Sequence, residues 1–123
     1  SLNTYTNLIL DILSELQVKI KRLNELGLND LIIDPGLGFA KDLEQNYAIV
    51  KHLKSFECLG HPLLIGASRK SMVYKLLKTT AAQALNGSTV IHTASLLNGA
   101  SILRVHDVKA AVEAVKITTL LKN

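Results

Sequence analysis

Apolar residues recur along this chain in two alternating rhythms. Tyr5, Leu8, Ile9, Ile12, Leu13, Leu16, Ile20, Leu23 and Leu26 keep steps of three and four, which predicts one long amphipathic helix over 3–26. Asn3 or Thr4 can cap its start, and Gly27 can close it. Leu31-Ile32-Ile33 is instead an unbroken apolar run ended by Asp34 and Pro35, the pattern of a parallel strand buried on both faces. A second run is opened by Pro62 and ends at Ile65, and a third covers Ser101 to Val105.

Helical spacing returns after each run. Asp42 can cap a helix carrying Leu43, Tyr47, Val50 and Leu53, and a short helix is expected from Ser68 to about Lys78. Polar residues 79–83 lead to a helix over Leu85–Leu97, closed by Asn98-Gly99. Asp107 reads as the N-cap of a final helix with Ala111, Val112, Val115 and Leu120 inward. The order α-β-α-β-α-α-β-α requires a parallel sheet with right-handed crossovers. No repeat, low-complexity tract or linker divides the chain, so 1–123 reads as one unit.

Composition narrows the partners. A chain of 123 residues with 48% hydrophobic and 20% charged side chains can build one modest core, and the scarcity of aromatics makes that core aliphatic. Net charge is +4, yet no Lys/Arg run and no basic–aromatic alternation exist, which argues against nucleic acid. The single Cys58 excludes an internal disulfide and a cysteine-based zinc cluster, consistent with a reducing cytoplasm. No apolar stretch is long enough to span a membrane, and no signal-peptide pattern is present. Residue 1 is Ser and the sole methionine is Met72, so the chain reads as a piece of a longer polypeptide.

The chemistry gathers at the ends of the runs. Parallel strands put their carboxyl ends on one rim, where α/β sheets and barrels bind ligands. Asp34 ends the first run, where a carboxylate must meet N–H donors of a ligand or of the protein; a turn before Pro35 is the plainer reading. The Gly36-Leu37-Gly38 loop lets backbone approach a ligand, and Phe39 there is either an aromatic wall or a plug. Lys41 reads as solvated.

Gly66-Ala67-Ser68-Arg69-Lys70 follows the second run. Basic residues are normally disfavoured in a helix's first turn, so Lys70, and less so Arg69, reads as functional rather than merely solvated or ion-paired. Arg104 and His106, two apart on the third run, share a face and suit a phosphate or planar group. His52, His61 and His92 have no metal-ligand spacing and read as surface or packing residues; Ser88 and Thr89 read as helix caps. Together these residues describe an anion-binding enzyme site.

Three motifs, Asp34-Pro35-Gly36-Leu37-Gly38-Phe39-Ala40-Lys41, Gly66-Ala67-Ser68-Arg69-Lys70-Ser71 and Arg104-Val105-His106-Asp107-Val108, in this order resemble the dihydropteroate synthase family. That family usually has glycine where Ala40 stands. The resemblance implies the C-terminal part of a TIM (β/α)8 barrel, strands 6–8 with flanking helices; a whole barrel takes about 250 residues. It also implies condensation of 6-hydroxymethyl-7,8-dihydropterin pyrophosphate with para-aminobenzoate to dihydropteroate, for folate.

By position, Asp34 and Lys70 would bind the pterin and Phe39 would flank the aminobenzoate. Ser68 beside Gly66 would hold its carboxylate, while Arg104 would stack on the pterin and bind the pyrophosphate with His106. Mg²⁺, with ligands on absent N-terminal strands, a homodimer and a cytoplasmic location are further implications. The 123 residues alone are expected to lack synthase activity. Two other readings are the pterin domain of a methyltetrahydrofolate-dependent methyltransferase, and a non-catalytic part-barrel that pairs with itself through a raw strand edge.

Overall fold

In the computed structural model, which describes residues 2–122, the three apolar runs lie side by side and point the same way. β1 (Leu64–Ile65) pairs in parallel with β2 (Ile102–Leu103), Leu64 opposite Ile102 and Ile65 opposite Leu103. The first run contributes one parallel bridge, Ile33 to Leu63. Ile33 donates its N–H to Pro62 O at 2.8 Å, and Leu64 donates to Ile33 O at 2.7 Å. Regular pairing is therefore shorter than the apolar runs, because each outer run has a partner on one side only among the described residues. Ile32 is correspondingly 57% exposed, so the first run is not buried on both faces as its sequence suggests.

α1 (Leu2–Glu25) is the long helix the spacing predicts, and Asn3 and Thr4 lie within its bounds. Gly27, at φ +87, ends it: Leu28 N–H reaches back to Leu23 O at 2.9 Å, a left-handed closure that needs no side chain. α2 (Leu43–Lys51) opens with a capping box. Asp42 accepts from Gln45 N–H at 2.8 Å, and Gln45 Oε1 accepts from Asp42 N–H at 2.9 Å. A 3-10 segment, Leu53–Leu59, then carries Phe56 and Leu53 into the interior.

α3 (Ser71–Tyr74) is much shorter than expected and begins later. Arg69 sits in the left-handed region at φ +55 and Lys70 is extended, so helix cannot start at Ser68. A second 3-10 turn, Ala81–Gln83, leads into α4 (Leu85–Leu97), and α5 (Val108–Leu121) packs against α4. α5 turns a different face inward than its apolar positions suggest. Ala114 and Thr118 are buried, whereas Val112 and Val115 are exposed and Leu120 is 83% exposed. Small residues one turn apart let the two helices approach, and periodicity cannot choose a face on a helix apolar nearly all round.

The core joins sheet to helices through Ile9, Ile33, Ile49, Leu53, Phe56, Leu63, Ile65, Met72 and Val73. Gly87 lets α4 lie close to α3. A Cβ there would lie 2.5 Å from Val73 Cγ1 and 2.9 Å from Leu77 Cδ1. Alanine's helix propensity would return about 1 kcal/mol, but overpacking against a stiff β-branched neighbour costs about 1–3 kcal/mol. Gly87→Ala should therefore lower stability by about 1 kcal/mol, seen as a lower urea midpoint. A raised midpoint would mean that α3 yields easily.

Candidate anion-binding site

The parallel arrangement brings the segments after Ile33, Ile65 and Leu103 to one rim. Gly66, Ser68, Lys70, Arg104, Val105 and His106 line a cavity of about 130 Å³ there. Asp34 Oδ2 stands 3.7 Å from Arg104 Nη2, and Lys70 Nζ lies 5.5 Å above the centre of the Phe39 ring. All seven residues singled out in the sequence therefore meet.

Glycine makes two of these placements possible. A Cβ on Gly66 would lie 3.0 Å from Arg104 Nη2 and 3.1 Å from its Nε, so the guanidinium rests across bare backbone. At Gly38 the Lys70 chain passes in the same way, its Cδ 3.3 Å from where a Cβ would be. Lys70 Nζ donates to Leu37 O at 2.8 Å. Burial holds the Lys70 ammonium below the usual lysine value, Arg104 pushes in the same direction and Asp34 opposes them. A negative charge placed beside Lys70 and Arg104 would act in the same sense as Asp34.

Asp34 makes the turn, its Oδ1 accepting Gly36 N–H at 2.9 Å, while its Oδ2 faces Arg104. Phe39 is 65% exposed, so it does not plug the rim. Lys41 is not simply solvated. Its Nζ donates to Gly36 O at 2.9 Å and Phe39 O at 3.1 Å, closing the loop on itself. Ala40, at φ +51, takes the left-handed conformation that glycine adopts most cheaply.

Ser68 lies three residues before α3. It is not at a helix start, and its hydroxyl is engaged: Oγ accepts His106 N–H at 3.1 Å and lies 2.8 Å from His106 Nδ1. The two contacts hold the His106 ring by its Nδ1 side against Ser68. Asp107 does not cap α5 with its side chain; it pairs with Arg69, Nε to Oδ2 at 2.9 Å. Ser88 is not a cap either, since its Oγ accepts Arg69 N–H at 2.8 Å and donates to Ala84 O at 2.7 Å.

Two supporting residues carried no motif signal. Asn46 is buried in α2, where Oδ1 accepts Gly38 N–H at 2.8 Å and Nδ2 donates to Asp42 O at 3.0 Å. His92, buried in α4, accepts Ala67 N–H on Nε2 at 3.3 Å. Only helical burial of a polar side chain could have flagged either. Burial pushes His92 below the ordinary imidazole value, and the Lys70 charge adds to that.

The His92 shift sets a pH dependence. Folded His92 resists a proton that the unfolded chain accepts near pH ~6.5. Its stabilising contribution is complete above that pH and is lost as pH falls below it. Urea midpoints measured at about pH 7.5 and 5.5 should fall for the parent chain and fall less for His92→Gln. Equal losses in both would remove His92 from the account.

Volume alone would choose another place. A groove of about 780 Å³ runs between the 81–83 turn, α4 and α5, but it gathers no set of cations and no aromatic wall. The magnesium ion implied by the resemblance finds no fit at the rim. Among the described residues no three His, Cys, Asp or Glu side chains cluster to hold a metal, and Asp34 is already shared by Gly36 and Arg104.

A small cavity of cations beside an exposed aromatic ring, on the rim of parallel strands, is compatible with the pterin-binding enzymes. The chain belongs to that family: the model described as "Pterin binding enzyme" matches residues 1–106. Within it, the chain's relatives are dihydropteroate synthases. That of Escherichia coli K12 is 41% identical over 101 residues, covering 80% of this chain and 36% of the E. coli protein.

Solved structures agree. Dihydropteroate synthase of Yersinia pestis matches with TM-score 0.90 at 41% identity, over 94% of this chain and 48% of that one. The Thermus thermophilus enzyme in complex with 4-aminobenzoate matches with TM-score 0.89 at 34% identity, over the same shares. These relatives are TIM barrels, and this chain shares their α/β architecture with parallel strands. It spans less than half the length of the relatives it matches.

Proposed function

We propose that this chain forms the C-terminal part, strands 6–8, of a dihydropteroate synthase barrel, and that its rim binds the pterin pyrophosphate. The observation that supports this most is the gathering of Lys70, Arg104 and His106 around one cavity with Asp34 and Phe39 beside it. Asp34 and Lys70 grip the pterin edge, and Arg104 lies flat against the ring. Arg104 and His106 Nε2 hold the pyrophosphate. Phe39 flanks the aminobenzoate, and Ser68 acts through His106, whose ring it orients.

In the reaction the aniline nitrogen attacks the pterin methylene. Its C–N bond forms as the C–O bond to pyrophosphate breaks, and the nitrogen gives up a proton. Negative charge grows on the departing oxygens, where fixed cations stabilise it more in the transition state than in the ground state. Donors for a magnesium ion are proposed to lie outside this chain. The same reading implies a cytoplasmic enzyme; no helix among the described residues is long and apolar enough to cross a membrane.

Small-molecule sites usually enclose about 300–1,000 Å³, so a cavity of about 130 Å³ supplies only part of the walls. The isolated 123 residues should therefore release no pyrophosphate from the two substrates, whereas the complete protein should. Turnover by the isolated chain, or a complete protein that ignores para-aminobenzoate, would each refute its half of this reading. A self-pairing unit is the second reading, favoured by exposed Ile32 beside the outer bridge at Ile33 and by exposed Ile117 and Leu120 on α5. A synthase homodimer would also use a second copy. Sedimentation over a range of concentrations tests association, and a monomer throughout would count against both forms of it.

A further inference from the structure

The chemistry above makes no use of Arg69 or Asp107, although both lie inside the motifs that carry the site. Arg69 Nε donates to Asp107 Oδ2 at 2.9 Å and Nη2 to Oδ1 at 3.0 Å, a two-point fork. Nη1 donates to the carbonyls of Ala81 and Ala82, both at 2.7 Å. The Arg69 backbone N–H is held by Ser88 Oγ. One residue thus ties the loop after β1 to the loop after β2, to the 81–83 turn and to the start of α4. It does so from a left-handed backbone that an arginine adopts only under constraint.

The neighbours show what this tie controls. Ser68 precedes Arg69, and His106 precedes Asp107; those two are also joined, by Ser68 Oγ to His106 Nδ1 and His106 N–H to Ser68 Oγ. The contacts 68–106 and 69–107 are adjacent rungs between the same two loops. Lys70 continues from one side of the ladder and Arg104 precedes it on the other. The rung at 69–107 is charged and forked, and so is the more directional of the two.

We propose that Arg69 and Asp107 form a positioning couple, which fixes the distance from Lys70 to Arg104 and His106 and so sets the spacing of the anion-binding groups. Neither residue touches the ligand. The inference rests on the proposed function only for what the positioned groups bind.

Amide hydrogen exchange on the 123-residue chain tests the couple directly. Asp107→Asn keeps the shape and removes the charge, so the Arg69 and His106 amides should exchange about tenfold faster. The Ser88 amide, bonded to Ala84 O inside α4, should keep its rate. Acceleration confined to the two loops supports the couple; no acceleration, or equal acceleration through α4, overturns it. Arg69→Lys keeps the charge but loses the fork, and it should reproduce the local pattern if Asp107→Asn fails to fold.

In the complete protein both variants should raise KM for the pterin pyrophosphate about tenfold and KM for para-aminobenzoate much less. Unchanged KM values in an active enzyme would overturn the claim that this spacing matters. A wild-type complete protein without synthase activity would instead sink the functional reading and leave the exchange result standing.

Discussion

Gly66→Ala is expected to cut kcat/KM for the pterin pyrophosphate about a hundredfold in the complete protein, with almost no loss of stability. The added methyl carbon would sit 3.0 Å from Arg104 Nη2, 3.1 Å from Nε and 3.4 Å from Cζ. The first two distances are shorter than comfortable carbon contacts, so the guanidinium must lift away from the strand. A displacement of about 1 Å at a group that meets developing charge is enough for an effect of that size. Stability should change by less than about 0.5 kcal/mol, because the displaced atoms end a flexible and half-exposed side chain. Gly66 has no positive φ, so backbone strain does not enter. Assaying turnover and thermal midpoint together decides the matter. Full activity would mean that the ligand does not need Arg104 where it lies, and a large drop in midpoint would move Gly66 from site to scaffold.

The residue types in the three motifs were readable without coordinates because strand direction does most of the work. Once Leu31–Ile33, Leu63–Ile65 and Ile102–Leu103 run parallel, the residues just after each run must share a rim, and the observed pairing puts Asp34, Lys70, Arg104 and His106 there. Local signals of the same kind worked for Asp42, whose capping box is written in four consecutive residues, and for Gly27.

The features that the sequence concealed depend on contacts between distant segments. Nothing near Arg69 says that its partner is 38 residues away, yet that fork, with Ser88 from α4, accounts for the left-handed turn that delays α3. Asp107 sits where a cap belongs, and a tertiary partner outcompetes the local role, whereas Ser88 lies inside α4 and reaches out to Arg69. Lys41 misled in the opposite sense, because a lysine beside glycines has two carbonyls within reach that only the folded loop presents. On α5 the pattern had too many apolar positions to select the buried stripe, which the small residues Ala114 and Thr118 fill. Burial of His92 and Asn46 likewise results from loops that come to them.

Leu37→Ala should be the most damaging substitution for stability within the site's own segments, at about 2–5 kcal/mol. Leu37 is 1% exposed, packed in the core cluster although it stands in a loop between two glycines. A domain of this kind holds only about 5–15 kcal/mol in total, so a sizeable share of it rests on one loop residue. The same residue links core to chemistry, since its carbonyl receives Lys70 Nζ. Collapse around the missing side chain would therefore also loosen Lys70. Phe39, two positions on, provides the contrast: it is largely exposed, so Phe39→Ala should cost less than about 0.5 kcal/mol while weakening aminobenzoate binding in the complete protein. Urea melts of the two variants side by side distinguish anchor from wall. If Phe39→Ala proves as costly as Leu37→Ala, the ring is packed rather than presented, and the wall assigned to the aminobenzoate must be sought elsewhere on the rim.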